Sequence, residues 1–454
     1  MRKATVSSRT AWDTGRLDAR FYTSPGWELR SSLMRGGERL ARLGGAGGLG
    51  SVRHPTRFKR VYAGPNEASV AFLRATDIFN YLPTAADWLA AEPAADLEPY
   101  RITEGTILQT RSGRNLGPLT LADGHLSQFV LTDDIIRLVI DDPSLRYYTL
   151  GLLRTSAGQD ILRCDDTGSV VNHLSADQVS NVAIPILDDL VEPVAGLIRQ
   201  AFSQRAVARS SLAAAVSAID RRYPLPATRR LHLGWTVWAQ ATRGRLDAAF
   251  HNPRASHARE DLQARGGVRI GEVASVLKPS GRYKPIYVAR SEGLPLLSGR
   301  QLLQADVMGP KHIARRSVEA PDRYALHYGD VCFQADGRAE ESLGAPVLVN
   351  EGRAGWLASG HVARLRPDEP AHAGWLWAAV ASASVQAQLA ARAAGSVVDA
   401  LYESDIGQVV LPPMDEVDSA SIQVSWDKFA QADALEQQAR ELISERLSAA
   451  PANR

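Results

Sequence analysis

Arg16-Leu17-Asp18-Ala19-Arg20-Phe21 and Arg245-Leu246-Asp247-Ala248-Ala249-Phe250 spell nearly the same hexapeptide 229 residues apart. Two further pairs follow in the same order. Arg57-Phe58-Lys59-Arg60-Val61-Tyr62 is answered by Arg282-Tyr283-Lys284-Pro285-Ile286-Tyr287 at an offset of 225, and Gly168-Ser169-Val170-Val171 by Gly395-Ser396-Val397-Val398 at an offset of 227. Spaced landmarks that keep nearly one offset mark a duplicated domain. A chain of 454 residues has room for two such domains, each able to bury its own core.

Working outward from these boxes, each copy reads as a mixed α and β domain. A charged, helical stretch follows the box, Glu28 to Leu43 in the first copy and Ala255 to Ala264 in the second. Short strands entered through a glycine turn are expected at Gly105 to Gln109 and Gly329 to Gln334, with others at Ile135 to Ile140 and His361 to Leu365. Apolar residues at helical spacing predict helices over Tyr147 to Ile161 and Gly374 to Ala394, each followed by Gly-Ser-Val-Val and a short strand ending at Pro185 or Pro412. Between the copies, Leu190, Val194, Leu197, Ala201, Ala208, Leu212, Ala215 and Ile219 form an amphipathic stripe, and Phe429, Ala432, Leu435, Ala439, Leu442, Ile443 and Leu447 repeat it at the end of the chain. Arg199 to Arg222 carries five arginines and one acid; Asp427 to Glu445 carries five acids and two bases. Opposite charge on two striped helices predicts their packing as a coiled-coil-like pair. The expected fold class is thus α+β: a tail over 1–13, a first domain over 14–187, a central helix over 188–228, a second domain over 229–414 and a terminal helix over 415–454.

Composition is that of an ordinary globular chain, with 45% apolar and 22% charged residues. Cys164 and Cys332 stand at unmatched places with no CxxC, so neither zinc nor a disulfide is expected, as suits a reducing cytoplasm. Met1 to Thr14 has no apolar run, and no stretch approaches the ~18 residues of a membrane span, so neither export nor membrane insertion is expected.

The net charge of +2 hides a local pattern. Arg30 to Arg74 holds nine bases against two acids, and the matching Arg265 to Arg316 holds ten against three. A surplus of seven in the same segment of both copies is what a face turned to a polyanion requires. Alternation of cations and rings in Arg57 to Tyr62 puts the cations on one side and lets Phe58, or Tyr283 in the second copy, pack inward. The DNA-binding candidates are Arg53, Arg57, Lys59, Arg60, Arg74, Arg111 and Arg114 in the first copy and Lys278, Arg282, Lys284, Arg300 and Arg338 in the second. Arg111 and Arg114, on the loop after Thr106 to Thr110, have the planar fork that reads guanine edges. The second copy has Gln334, Asp336 and Arg338 there, so the copies are expected to read different bases.

No catalytic constellation emerges. Gly45 to Gly50 satisfies GxGxxG, but no hydrophobic strand precedes it and the second copy lacks it, so a flexible loop is expected rather than a nucleotide site. No GxxxxGK[ST], amino-methyltransferase tetrapeptide or nuclease cluster of acids with a lysine is present. His251 and His257 read as surface histidines rather than metal ligands.

With its duplicated Arg-Leu-Asp-Ala-x-Phe boxes, the Arg-Phe-Lys-Arg-Val-Tyr loop, and the run of helix, Gly-Ser-Val-Val, strand and long helix, the chain resembles the specificity subunit of Type I restriction-modification systems over roughly Trp12 to Leu447. The resemblance implies two target-recognition domains held apart by an antiparallel helix pair, each reading half of a bipartite site in double-stranded DNA. It also implies docking of two DNA methyltransferase subunits, association with restriction and translocase subunits, and a subunit that is not itself an enzyme and uses no cofactor. The segment after Pro412 lacks the Glu-Gln-rich helix opening common in the family. A specificity-like subunit of another phage-defence methyltransferase complex is the alternative, and a self-contained DNA-modifying enzyme a third reading.

Overall fold

The computed structural model describes all residues except 1–4, 66–67, 92–95, 113–115, 165–172, 226–234, 243, 280–284, 308, 318–320, 339–341, 396–397, 415–416 and 450–454. The chain divides into two compact units. Unit 1 comprises Met1–Phe79, Pro83–Ala206 and Gln431–Arg454, and unit 2 comprises Asn80–Leu82 and Val207–Ala430.

Unit 1 contains two four-stranded sheets and a ribbon. Its strands are β1 (Leu40–Arg42), β2 (Ser51–Arg53), β3 (Tyr62–Ala63), β4 (Ser69–Leu73), β5 (Asp87–Ala90), β6 (Ile107–Thr110), β7 (Leu119–Leu121), β8 (Val130–Leu131), β9 (Ile135–Val139) and β10 (Ala183–Pro185). One sheet runs β2-β9-β6-β7, the other β3-β5-β4-β8, and β1 pairs with β10. Gly105, at φ +85°, makes the turn into β6. The core joins Ile107, Ile136 and Leu138 of the first sheet to Tyr148, Ile161, Val194 and Ile198 from the helices.

Unit 2 repeats this plan and adds a second two-stranded ribbon, Asp336–Gly337 with Asp399–Ala400. Its strands are β11 (Val268–Arg269), β12 (Ala274–Leu277), β13 (Tyr287–Val288), β14 (Leu294–Leu297), β15 (Lys311–Ile313), β16 (Val331–Gln334), β17 (Asp336–Gly337), β18 (Pro346–Leu348), β19 (Leu357–Ala358), β20 (Val362–Pro367), β21 (Asp399–Ala400) and β22 (Val410–Leu411). The sheets run β12-β20-β16-β18 and β13-β15-β14-β19, with β11 paired to β22. In each smaller sheet the last pair, β4 with β8 and β14 with β19, is parallel. Gly329, at φ +83°, enters β16 as Gly105 enters β6. Trp375, Trp377, Trp426, Phe333 and Phe429 fill this core.

The register equates residues between the copies. Arg137 lies opposite Leu108 and Arg53, and Arg364 opposite Cys332 and Leu277. Both arginines are buried and bond to backbone carbonyls: Arg137 to Ile135 (3.1 Å) and Tyr100 (3.3 Å), Arg364 to Arg323 and Ala325. Burial lowers the pKa of each, that of Arg137 to about 10. The hexapeptide boxes fold alike too. Arg16 pairs with Asp18 at 2.7 Å and lies over the Phe21 ring, and Arg245 pairs with Asp247 at 2.8 Å and lies over Phe250.

Several expectations are corrected. The stretch Glu28 to Leu43 is not one helix: the helix is Pro25–Arg35, and Leu40–Arg42 is a strand because β10 is there to pair with it. Tyr147 to Ile161 is broken into Pro143–Leu153 and Ser156–Arg163, since the Thr155 hydroxyl accepts from Gly158 N and caps a new helix. Gly374 to Ala394 likewise splits into Ala373–Ala381 and Ala383–Arg392 at Ser382. The Gly45 to Gly50 segment is a bonded turn between β1 and β2 rather than a flexible loop: Leu49 N donates to Arg42 O at 2.8 Å and Gly50 N to Leu43 O at 3.1 Å. A Cβ on Gly50 would stand 2.0 Å from the Val139 carbonyl oxygen. Gly50→Ala should therefore destabilise unit 1 by about 1–3 kcal/mol, read from the urea midpoint.

The long helices are Val191–Arg222, the central helix, and Ser419–Ser448, the terminal helix. In unit 1 the beginning of the central helix shares a core with the end of the terminal helix, through Val194, Ile198, Phe202, Ala439, Ile443 and Leu447. In unit 2 the end of the central helix, with Leu212 and Ile219, shares a core with Ile422, Trp426 and Phe429 at the beginning of the terminal one. The helices are therefore antiparallel. The opposite charge seen in the sequence meets at one buried knot: Arg205 bonds to Asp433 (2.6 Å) and Glu436 (2.5 Å), and Arg154 to Glu436 (2.8 Å). No helix among the described residues is long and apolar enough to cross a membrane.

Candidate nucleic-acid interface

In unit 1 the chain leaves β2 through Arg53 and runs as an irregular segment to β3. Phe58 packs at 4.0 Å on Tyr100 in the small core under the second sheet, as the alternation predicts. Arg53, Arg57 and Lys59 are exposed, the Arg57 side chain to 96%. Arg60 departs from this pattern. It turns in to form an ion pair with Asp133, whose side chain is 7% exposed, and its guanidinium stacks over Phe72 at 5.3 Å. Burial opposes the charge on Arg60, and its hydrogen bonds to Asp133 and Tyr62 outweigh that, so its pKa is raised.

Arg57 and Arg60 border an open cleft of about 840 Å³. Arg57, Arg60, Arg74 and Arg111 line it together with Asp133 and Asp134, and Tyr62 lies among them. Arg74 bonds to Asp87 at 2.8 Å. Arg111 donates to His54 Nε2 at 2.5 Å, which requires a neutral imidazole. Burial and the charge of Arg111 depress the His54 pKa, in keeping with that contact.

In unit 2, Lys278 follows β12 and is bound by Asp336 at 2.7 Å and the Leu401 carbonyl at 2.9 Å. Arg300 is exposed on the short helix Gly299–Leu302, and Arg338 is exposed after β17. Arg114, Arg282 and Lys284, along with Tyr283, lie outside the described residues, as do Gly168 to Val171 and Ser396-Val397.

The cleft therefore gathers Arg57, Arg60, Arg74 and Arg111, while Arg53 and Lys59 stand exposed on the same segment. What sequence reasoning missed is the acidic half of the arrangement, Asp133 and Asp134, and the outward rings of Tyr62 and Tyr287, 57% and 53% exposed on matching strands. Nothing local to Thr132-Asp133-Asp134 singles it out. Only its place before β9, beside the end of β6, gives it meaning. His251 donates from Nε2 to the Arg245 carbonyl at 2.8 Å, a structural contact, and His257 is exposed. Among the described residues no group of three or more His, Cys, Asp or Glu is placed to hold a metal.

No family model matches this chain, and no curated protein matches it. Solved structures that are similar to it along most of its length include the following three. The S subunit of a Type I restriction-modification system from M. genitalium is 14% identical, with 91% of this chain and 92% of that one covered and a TM-score of 0.28. A structure presented as the basis of complex assembly and conformational transition of the type I R-M system is 17% identical, with coverages of 90% and 94% and a TM-score of 0.29. An HsdS subunit from Thermoanaerobacter tengcongensis is 15% identical, with coverages of 91% and 97% and a TM-score of 0.28.

Proposed function

We propose that this chain is the DNA-recognition subunit of a Type I restriction-modification complex, acting in the cytoplasm and carrying no catalysis of its own. Each unit is a target-recognition domain for half of a bipartite duplex site. The observation that carries this reading is the duplication of one double-sheet plan in which the chain leaving the first strand, β2 or β12, is basic both times. Exposed Arg53, Arg57 and Lys59 suit phosphate contacts, which supply affinity and register, while side chains in the cleft supply sequence. The antiparallel helices then act as the spacer that fixes the distance between half-sites.

The partners are two methyltransferase subunits, joined by restriction and translocase subunits. One partner per copy is supported by apolar side chains left in solvent at matching places: Trp12 and Leu17 in the first copy, 87% and 91% exposed, and Trp238 and Leu246 in the second, 78% and 89% exposed.

The test is selection of binding sites by the full chain from a pool of random duplexes, followed by the same selection with four residues inserted after Ser210 in the central helix. The four added residues, slightly more than one turn and ~6 Å of rise, should alter the gap between the half-sites and leave both half-sites unchanged. A changed half-site across an unchanged gap would refute the spacer role, and absence of duplex binding by the parent chain would refute the function.

A further inference from the structure

The internal duplication marks one address in each copy where the backbone is held constant and the chemistry is permuted. In unit 1, Leu174 N bonds to Arg111 O (2.9 Å) and Ser112 bridges to His173. In unit 2, Leu401 N bonds to Ala335 O (2.8 Å) and Asp336 pairs with Ala400. Ser112 and Asp336 are therefore equivalent, as are Arg111 and Ala335. The registers of β2 with β9 and β12 with β20 make His54 equivalent to Lys278, and Asp134, just before β9, equivalent to His361, just before β20.

Three positions thus meet at this corner in both copies. They hold His54, Ser112 and Asp134 in one, Lys278, Asp336 and His361 in the other. In unit 1 the Ser112 hydroxyl donates to Asp134, and Arg111 reaches from His54 toward Asp134 at 3.8 Å. In unit 2, Asp336 is held by Lys278 at 2.7 Å and by His361 Nδ1 at 2.7 Å. The carboxylate has moved from the third position to the second and the imidazole from the first to the third.

Positions whose role is to build the fold do not behave this way. Arg137 and Arg364, both bonded to backbone carbonyls, Gly105 and Gly329, both at positive φ, and the Arg-Asp-Phe boxes keep residue type and kind of contact together. A polar network kept in place and altered in donor and acceptor order is what two readers of different bases require.

We propose that this corner is the base-reading subsite of each unit, a deepening that rests on the DNA-recognition reading above. In unit 1 the Arg111 guanidinium, set against His54 and Asp134 on the wall of the basic cleft, presents donors to a guanine edge. In unit 2 Asp336 accepts a hydrogen bond from His361 Nδ1, and Nε2 of this side chain, 59% exposed, is the acceptor that the neutral imidazole offers to the exocyclic amino group of adenine or cytosine.

The experiment is selection from random duplexes by the full chain and by Arg111→Ala, Arg111→Lys and His361→Ala, with melting curves to confirm folding. Arg111→Ala should reduce the preference at one or two positions of one half-site by roughly ten- to a hundredfold. The other half-site and non-specific affinity should stay within about twofold. Arg111→Lys should retain part of the preference, and His361→Ala should act on the other half-site alone. A parent chain with a defined site that both alanine variants keep, or variants that weaken all sequences equally, overturns the corner and leaves DNA recognition standing. A parent chain that selects no sequence overturns both.

Discussion

Replacing Glu436 by glutamine is expected to destabilise unit 1 by about 3–5 kcal/mol, the cost of leaving buried charge without its counter-ion. Glu436 is 2% exposed and faces Arg154 and Arg205, themselves 6% and 5% exposed. Arg205 keeps Asp433 and Arg154 keeps the Leu119 carbonyl at 2.5 Å, but neither replaces the missing charge at the centre of the helix pair. Burial pushes the Glu436 carboxyl up, and Arg154 and Arg205 outweigh it and hold it at about 2, against an ordinary 4.5. Because the folded value lies below the unfolded one, this stabilisation is complete above roughly pH 5 and fades as the pH falls toward 2. Urea unfolding from pH 3 to pH 7 should show a steep acid limb in the parent that is shallower in Glu436→Gln. Replacing Arg154, Arg205 and Glu436 together by methionine should cost less than Glu436→Gln alone, since the one acid that then loses a partner, Asp433, is 34% exposed and reaches water.

The second large effect is on affinity. Arg53, Arg57 and Lys59 changed together to alanine should weaken binding to any duplex by on the order of a hundredfold near 0.1 M salt and lower the salt slope by ~0.9 for each phosphate these side chains neutralise. Arg60 is left out of this set because it neutralises buried Asp133 and its removal would confound folding with binding. An unchanged slope would mean these side chains do not meet phosphates, and weakening confined to one sequence would make them readers instead.

The duplication was legible because its landmarks are self-contained. Arg16, Asp18 and Phe21 complete one another within six residues, and Asp18 also caps the turn that follows, so the pattern survives as sequence. The long helices were legible for a similar reason, since a stripe at helical spacing declares its face. Leu40–Arg42 was not, because three residues after a helix become a strand only when Ala183–Pro185, far along the chain, supplies the partner. Thr155 did carry a signal, a capping hydroxyl before Ser156-Ala157-Gly158, which the apolar periodicity of its neighbours obscured. Among the site residues, the exposed cations of Arg57 to Arg60 were visible as charge. Asp134 and His361 were not, for their equivalence exists only in the strand register.

Tyr81 belongs by sequence to the first copy, yet it is built into unit 2. Its ring lies 4.9 Å from Trp426 and 4.8 Å from Phe429, its hydroxyl accepts from Arg353 at 2.9 Å, and its carbonyl accepts from Arg209 at 2.9 Å. Gene shuffling that trades one half of this protein for another lineage's must consequently pass a compatibility filter. An incoming second half lacking a socket for that tyrosine would leave its phenol without Arg353 and without the rings it packs on, so exchanges of this kind succeed among sequences that preserve this contact.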